Sequence, residues 1–181
     1  MEGCKGVNWI WLQDFGAEEK EEPVLALFRK ELEVKQLLQK AVLRISADSR
    51  YKLYVNGKLA EVGPSKGDRQ VWFLDEVNIL PYLHSGKNVL SVQVLRYPLE
   101  HMKGNHGIFR TEHPGLYAAG EIVDTDGNCC FISADRSWKA KKDQMFHIKS
   151  ESDIFAPLQI YESTGGDAKL KGWMNTGYDD S

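Results

Sequence analysis

Acid–base catalysis needs titratable groups held at a fixed separation on rigid elements. The 181-residue chain has 26 acidic residues, so a carboxylate pair can always be imagined. None of them stands in a motif that singles it out. Asp179 and Asp180 are adjacent, but they sit in a Gly-rich tail, a poor place to hold catalytic geometry. No Gly-x-Ser-x-Gly elbow, phosphate-binding loop or zinc-type histidine pair occurs. The three cysteines, Cys4, Cys129 and Cys130, are an odd number with two adjacent members. That is no disulfide framework, and all three are expected to be reduced and packed.

The stretch from Tyr97 to Gly115 is chemically richer. It holds His101, His106 and His113, three of the five histidines, among Pro98, Gly104 and Gly107. It reads as a long loop, and long loops in compact domains are often functional. Saccharides present apolar C–H faces and a ring of hydroxyls. A site for them takes an aromatic plate with polar groups around it. Tyr97, Glu100, His101, Asn105, His106 and Phe109 supply that mixture, and Trp72 can join them from a strand end. These seven are the candidate carbohydrate-binding residues; no catalytic and no metal-ligating residue is assigned. The competing reading makes Trp72 a core residue and each loop histidine a surface or packing residue. Trp9, Trp11 and Trp138 are assigned to core or module packing.

The elements that must position these groups are short alternating runs, the pattern of half-buried strands. Val24 to Leu32 is apolar enough for a strand, and Leu32 to Lys40 reads as a short helical turn or a loop. Val42, Leu43 and Ile45 form another strand, and Tyr51 to Val55 alternates with period two. Asn56-Gly57 then marks a type I′ hairpin turn, which needs φ > 0 at both positions. Lys58 to Val62 is the return strand. Val71 to Leu74 reads as a strand, and Pro81 argues against a central strand over Asp75 to Leu83. In Val89 to Leu95, the face of Leu90, Val92 and Val94 is wholly apolar and should be core. Further strands are expected at Leu116 to Val123, Cys129 to Ser133 and near Phe146 to Ile148, with a turn at Asp124 to Asn128. Such a series suggests an all-β antiparallel sandwich or jelly roll with little helix. No βαβ alternation or internal repeat is present.

Composition agrees with a folded domain: 42% of residues are hydrophobic, the net charge is -3, and the basic residues are scattered. A nucleic-acid partner is therefore not expected. The run Glu18 to Glu22 reads as a solvated loop. No apolar stretch approaches the roughly 20 residues that span a bilayer. No apolar segment follows Met1-Glu2-Gly3-Cys4-Lys5, so no signal peptide is read. The expected location is the cytoplasm, or outside the cell if a signal has been removed.

Several segments, taken in order, resemble one family. They are Trp9-Ile10-Trp11 and Phe28-Arg29-Lys30; Ala47-Asp48-Ser49-Arg50-Tyr51-Lys52-Leu53-Tyr54-Val55-Asn56-Gly57, followed by Val62-Gly63-Pro64; Leu80-Pro81-Tyr82-Leu83 and Gly86-Lys87-Asn88-Val89-Leu90; Asp135-Arg136-Ser137-Trp138-Lys139; and Gly172-Trp173 with Gly177-Tyr178-Asp179-Asp180-Ser181. The set resembles the N-terminal β-sandwich domain of bacterial α-L-rhamnosidase-type glycoside hydrolases. The Tyr-x-Val-Asn-Gly hairpin is also similar to the galactose-binding-like sandwiches of β-galactosidases and β-glucuronidases.

The resemblance implies a jelly-roll accessory domain over residues 1–162, with 163–181 as a linker or the start of the next module. Its implied partners are the catalytic domain of a parent chain and rhamnose-containing or other glycans. Some relatives bind rhamnose with calcium. Asp124, Asp126 and Asn128 alternate, but no Glu follows at the right distance. This stretch is read as a plain turn; no cofactor is assigned, and calcium stays an alternative. The expected function is a non-catalytic structural or carbohydrate-binding module. The alternatives are a free-standing carbohydrate-binding protein, a fragment of a β-galactosidase- or β-glucuronidase-like enzyme, or an enzyme with an unrecognised site. An excised module should expose apolar groups at Trp9, Trp11 and Trp173. Trp173 is expected to be unpacked, unless the tail folds back and buries it.

Overall fold

Asn56 and Gly57 have φ of 51° and 77°, the left-handed pair that a two-residue type I′ turn requires. They join β3 (Arg50–Val55) to β4 (Lys58–Gly63). The Asn56 amide also ties this turn to its neighbours. It donates to Tyr82 O at 2.9 Å and to Asn88 Oδ1 at 2.8 Å, and its Oδ1 accepts from Val89 N at 2.9 Å. Asn88 is fully buried and donates to His84 O and Gly86 O. The two asparagines interlock, so the buried Asn88 amide is satisfied and the cost of burying it is offset. This gives physical content to the spacing between Val-Asn-Gly and Gly-Lys-Asn-Val.

In this computed structural model residues 9–16, 22–65, 71–97, 113–150, 160–165 and 170–180 are described. The remaining strands are β1 (Val24–Val34), β2 (Leu38–Asp48), β5 (Asp75–Asn78), β6 (Gly86–Arg96), β7 (Gly115–Asp124), β8 (Cys129–Ser133), β9 (Lys139–Lys142), β10 (Phe146–Ser150) and β11 (Ile160–Thr164). One sheet has the order β4-β3-β6-β1-β9 and the other β5-β2-β7-β8; β10 and β11 form a separate pair. All strand pairs are antiparallel. The two larger sheets stack as a sandwich. Their inward residues alternate with period two: Ala26 and Phe28, Leu53 and Val55, Leu90, Val92 and Val94 from one sheet; Ala41, Leu43, Ile45, Leu116, Ala118 and Ile132 from the other. Each of these is essentially inaccessible to water.

Several sequence expectations change. Leu32 to Lys40 is neither helix nor long loop. β1 runs on to Val34 and β2 starts at Leu38. Glu31 and Glu33 stay exposed while Leu32 and Val34 turn inward, so the polar residues belong to an alternating strand held by the ladder to β6. Val71 to Leu74 has no regular structure; the strand begins at Asp75 and, among the described residues, pairs only with β2. Pro81 stands in the first turn of a 3-10 helix, Leu80–Tyr82, where its missing N–H costs nothing. Strands β9 and β11 were not anticipated. Cys129 and Cys130 are free but exposed rather than packed, because β8 is a sheet edge; Cys4 lies outside the described residues. At Asp124–Asn128 the expected turn forms. Asp124 Oδ1 accepts from Asp126 N and Asn128 N, and these bonds, with the amide of Asn128, hold its carboxyl below the usual range.

The outer face of the five-stranded sheet is covered around Arg29. That guanidinium is buried. It donates to Trp173 O at 3.2 Å, Asn175 O at 3.2 Å and Glu31 Oε1 at 2.9 Å, and it pairs with Asp180. The Tyr178 ring stands 5.9 Å from it. Lys139 also donates to Asp180, and its hydrogen bond, with the charge of Arg29, holds that carboxyl below the ordinary range. Segment 170–180 therefore lies on the sandwich. Trp173, expected to be unpacked, is 7% exposed; the tail folds back, but over the outside of the sheet rather than into the central core.

Candidate functional site

The outer face of the four-stranded sheet is open and aromatic. Period-two alternation turns Val42, Arg44 and Ser46 of β2 outward, and Tyr117 of β7 pairs with Ser46. The Trp72 indole N–H donates to Ser46 Oγ at 2.8 Å, which fixes its ring against the sheet. Trp9 packs on Trp72 with ring centroids 4.6 Å apart, and its centroid is 5.7 Å from that of Tyr117. Two hydrogen bonds between Ile10 and Leu116 pin the strand end that carries Trp9. Gly115 leaves room for it: a Cβ there would meet Trp9 Cε3 at 2.7 Å. Trp9 is 42% exposed, and Val71, Phe73 and Leu74 beside Trp72 are exposed as well.

Charged groups surround this platform. Arg44 Nε meets Glu76 Oε2 at 3.0 Å, and Lys40 pairs with Glu121. The hydrogen bond from Lys40, with its charge, holds Glu121 below the usual carboxylate range. The arrangement is a plate with hydrogen-bonding groups at its border. It is suited to gripping an amphipathic ligand. Among the described residues no group of three His, Cys, Asp or Glu side chains is placed to hold a metal.

Of the seven sequence candidates, Trp72 joins the platform. Tyr97 does not offer an open ring: it is 2% exposed, its N–H donates to Ser49 Oγ at 3.1 Å, and the Arg50 guanidinium lies 5.8 Å over the ring. Glu100, His101, Asn105, His106 and Phe109 lie outside the described residues. The ends of that loop are anchored close together, since Asp48 pairs with Gly115 while the next residue, Ser49, binds Tyr97. Sequence reasoning missed Trp9 and Tyr117 as platform members. Alternation in Trp9-Ile10-Trp11 was the available signal. The rings of Trp9 and Trp11 pack in different places, Trp9 on Trp72 and Trp11 on Phe28 at 5.8 Å. Trp138 is buried in the core, with its indole N–H on Ser133 O at 2.8 Å.

Fold and face define an all-β, two-sheet sandwich domain with an open aromatic surface. No protein-family model matches the chain, and no curated protein matches it. Solved structures do. The chain aligns with a family 78 rhamnosidase of Bacillus sp. GL1 at 26% identity and a TM-score of 0.70, over 96% of this chain and 17% of that one. It aligns with Streptomyces avermitilis α-L-rhamnosidase, complexed with L-rhamnose, at 21% identity and a TM-score of 0.62, over 97% and 14%. A lectin of Pleurotus ostreatus matches at 26% identity and 0.53, over 75% and 34%. The chain is thus matched over nearly its whole length to one domain of α-L-rhamnosidases, and it spans about a sixth or less of those enzymes. It resembles a non-catalytic part of them.

Proposed function

We propose that the chain acts as a non-catalytic accessory domain of an α-L-rhamnosidase-type glycoside hydrolase. The observation that carries this reading is the coverage: 96% of this chain against 17% of the Bacillus enzyme. Two of the described carboxylates agree with it. A glycosidase needs a general acid that keeps its proton near neutral pH. Asp135 accepts hydrogen bonds from Ser137 and Ser133, which hold its carboxyl down at about 2. Asp180 is likewise held as an anion by Lys139 and Arg29. The test is release of aryl alcohol from an aryl α-L-rhamnoside by the purified chain. No turnover is expected. Turnover that disappears on replacing one carboxylate would overturn the reading.

The likeness to a lectin, one structure of which is described as a complex with GalNAc, favours a second role, saccharide binding. In this reading the Trp9–Trp72–Tyr117 platform stacks on a sugar face. Titration with L-rhamnose and with GalNAc, followed by indole fluorescence, tests it. Saturable quenching lost in Trp9→Ala supports the platform; no saturable response to either sugar removes it.

A further inference from the structure

The two stacked sheets end in four edge strands, β4 and β9 in one and β5 and β8 in the other. An edge strand offers unpaired backbone groups to another chain, and charged side chains are the usual guard against such pairing. Three of the edges carry them: Lys58 and Glu61 on β4, Asp75 and Glu76 on β5, and Lys139, Lys141 and Lys142 on β9. The fourth, β8, reads Cys-Cys-Phe-Ile-Ser and carries none. Cys129, Cys130 and Phe131 are exposed, Phe131 to 60%.

The backbone at this edge has a definite phase. Asp124 N donates to Asn128 O at one end of the β7–β8 ladder, and Ala134 N donates to Ala118 O at the other. The register between them is unbroken. In an antiparallel ladder, residues that exchange hydrogen bonds alternate with residues that do not. Asn128, Cys130, Ile132 and Ala134 therefore turn their backbone groups toward β7, and Cys129, Phe131 and Ser133 turn theirs outward. Ser133 O already accepts from the Trp138 indole. The backbone groups of Cys129 and Phe131 have no such partner among the described residues. The free edge is thus centred on Cys130, with one donor and one acceptor on each of its two neighbours.

Charge is distributed along β8 to match. The turn before it carries Asp124 and Asp126. After it stands Arg136, exposed and without an anionic partner among the described residues, while Asp135 is already paired with Lys30. An antiparallel partner of the same sequence sets the acidic end of each strand beside the Arg136 end of the other.

We propose that β8 is the contact through which two copies of this chain associate, as an antiparallel strand pair about a two-fold axis at Cys130. Cys129 of each copy exchanges both backbone hydrogen bonds with Phe131 of the other, and the two four-stranded sheets become one of eight strands. Cys130 meets its own counterpart in a non-hydrogen-bonded pair, where Cα atoms lie about 4.5 Å apart. The same residues serve both sides, as an isologous interface requires. The contact is small, so the association is weak and concentration-dependent. The inference does not rest on the accessory-domain reading, since it uses only the edge strand of this chain.

The experiment is sedimentation velocity on the full chain under reducing conditions, from about 1 μM to about 1 mM, the range in which so small a contact associates. A monomer–dimer equilibrium is expected. Cys130→Lys sets like charges directly opposite each other at the axis, and Phe131→Lys guards the edge. Each is expected to weaken association at least about tenfold, with the melting temperature unchanged. Arg136→Asp and Asp126→Lys are each expected to weaken it, and D126K/R136D together to restore it. The register is read with oxidised glutathione in a Cys4→Ser background. Two Cys130 thiols then become one disulfide and two molecules of reduced glutathione are released; a Cα separation of about 4.5 Å is within the span of that bond. The covalent dimer is expected to form with Cys129→Ser and to be lost with Cys130→Ser. A monomer at every concentration, a dimer that persists in Phe131→Lys and Cys130→Lys, or a disulfide dimer that survives Cys130→Ser would overturn the proposal. Turnover in the rhamnoside assay would leave these outcomes untouched.

Discussion

Arg29 and Arg44 stand on the outer faces of the two stacked sheets, and each meets a glutamate at nearly the same distance, 2.9 Å to Glu31 and 3.0 Å to Glu76. Their surroundings differ. The Arg29 side chain is 5% exposed, and that of Arg44 is 64% exposed. The tail has closed over Arg29 and brought two backbone carbonyls and the Asp180 carboxylate to it. Arg44 remains in water. The comparison shows that contact distance alone says little about energy. A charge taken out of water must have its whole donor set satisfied, whereas water serves the exposed one. It also shows how one outer face became part of the folded body while the other stayed open to water.

The largest effect should follow from breaking the covered face. Arg29→Met keeps the length of the side chain and removes every donor. Trp173 O and Asn175 O are then left without their partner, and Asp180 keeps only Lys139. Removing one member of a buried charged cluster costs about 3–5 kcal/mol. Urea unfolding should show a loss of that order, and trypsin should cut at Lys171 in the variant under conditions where the native chain resists. An unchanged urea midpoint would mean that the tail is held by Trp173 packing and that the guanidinium contributes little.

Gly57→Val should come next. The position needs φ of +77°, and a Cβ there would collide with the Asn175 side chain of the tail. The backbone strain alone should cost about 1 kcal/mol or more. The contact with Asn175 couples the hairpin turn to the covered face, so Arg29→Met and Gly57→Val should be non-additive in a double-mutant cycle. Strict additivity would break that link.

The core was legible because alternation is a local signal. Leu90, Val92 and Val94 could be assigned inward from seven residues of sequence, and they are fully buried. The Asn56-Gly57 turn was legible for the same reason. Arg29 was visible only as part of Phe28-Arg29-Lys30, because its partners in the tail lie 144 to 151 residues away in the chain. Trp173 was misread for a related cause: no apolar run stands near it in sequence, and the side chain that holds its carbonyl, Arg29, is on β1. At the candidate site Trp72 was found by its residue type, but its companions Trp9 and Tyr117 come from a strand end and from β7. Only the pairing of Ile10 with Leu116 and of Ser46 with Tyr117 brings the three together. Long-range register of this kind leaves no trace in a window of residues.

The smallest effect should come from the open face, and its smallness is the sharpest check on the comparison. Glu76→Gln removes the carboxylate from Arg44 and leaves a side chain of the same shape. Both groups are well exposed, so water replaces the lost contact as the pair breaks. The pair is also screened: the Debye length is about 8 Å at physiological ionic strength and about 3 Å at 1 M. The expected result is a melting temperature indistinguishable from that of the native chain at both salt concentrations, with binding at the Trp9–Trp72–Tyr117 platform as the only property left to change. If Glu76→Gln instead lowered the melting temperature as far as Arg29→Met does, and more so at low salt, the two faces would not differ in the way their burial indicates. The open face would then have to be covered in solution, by another molecule or by a further part of a longer chain.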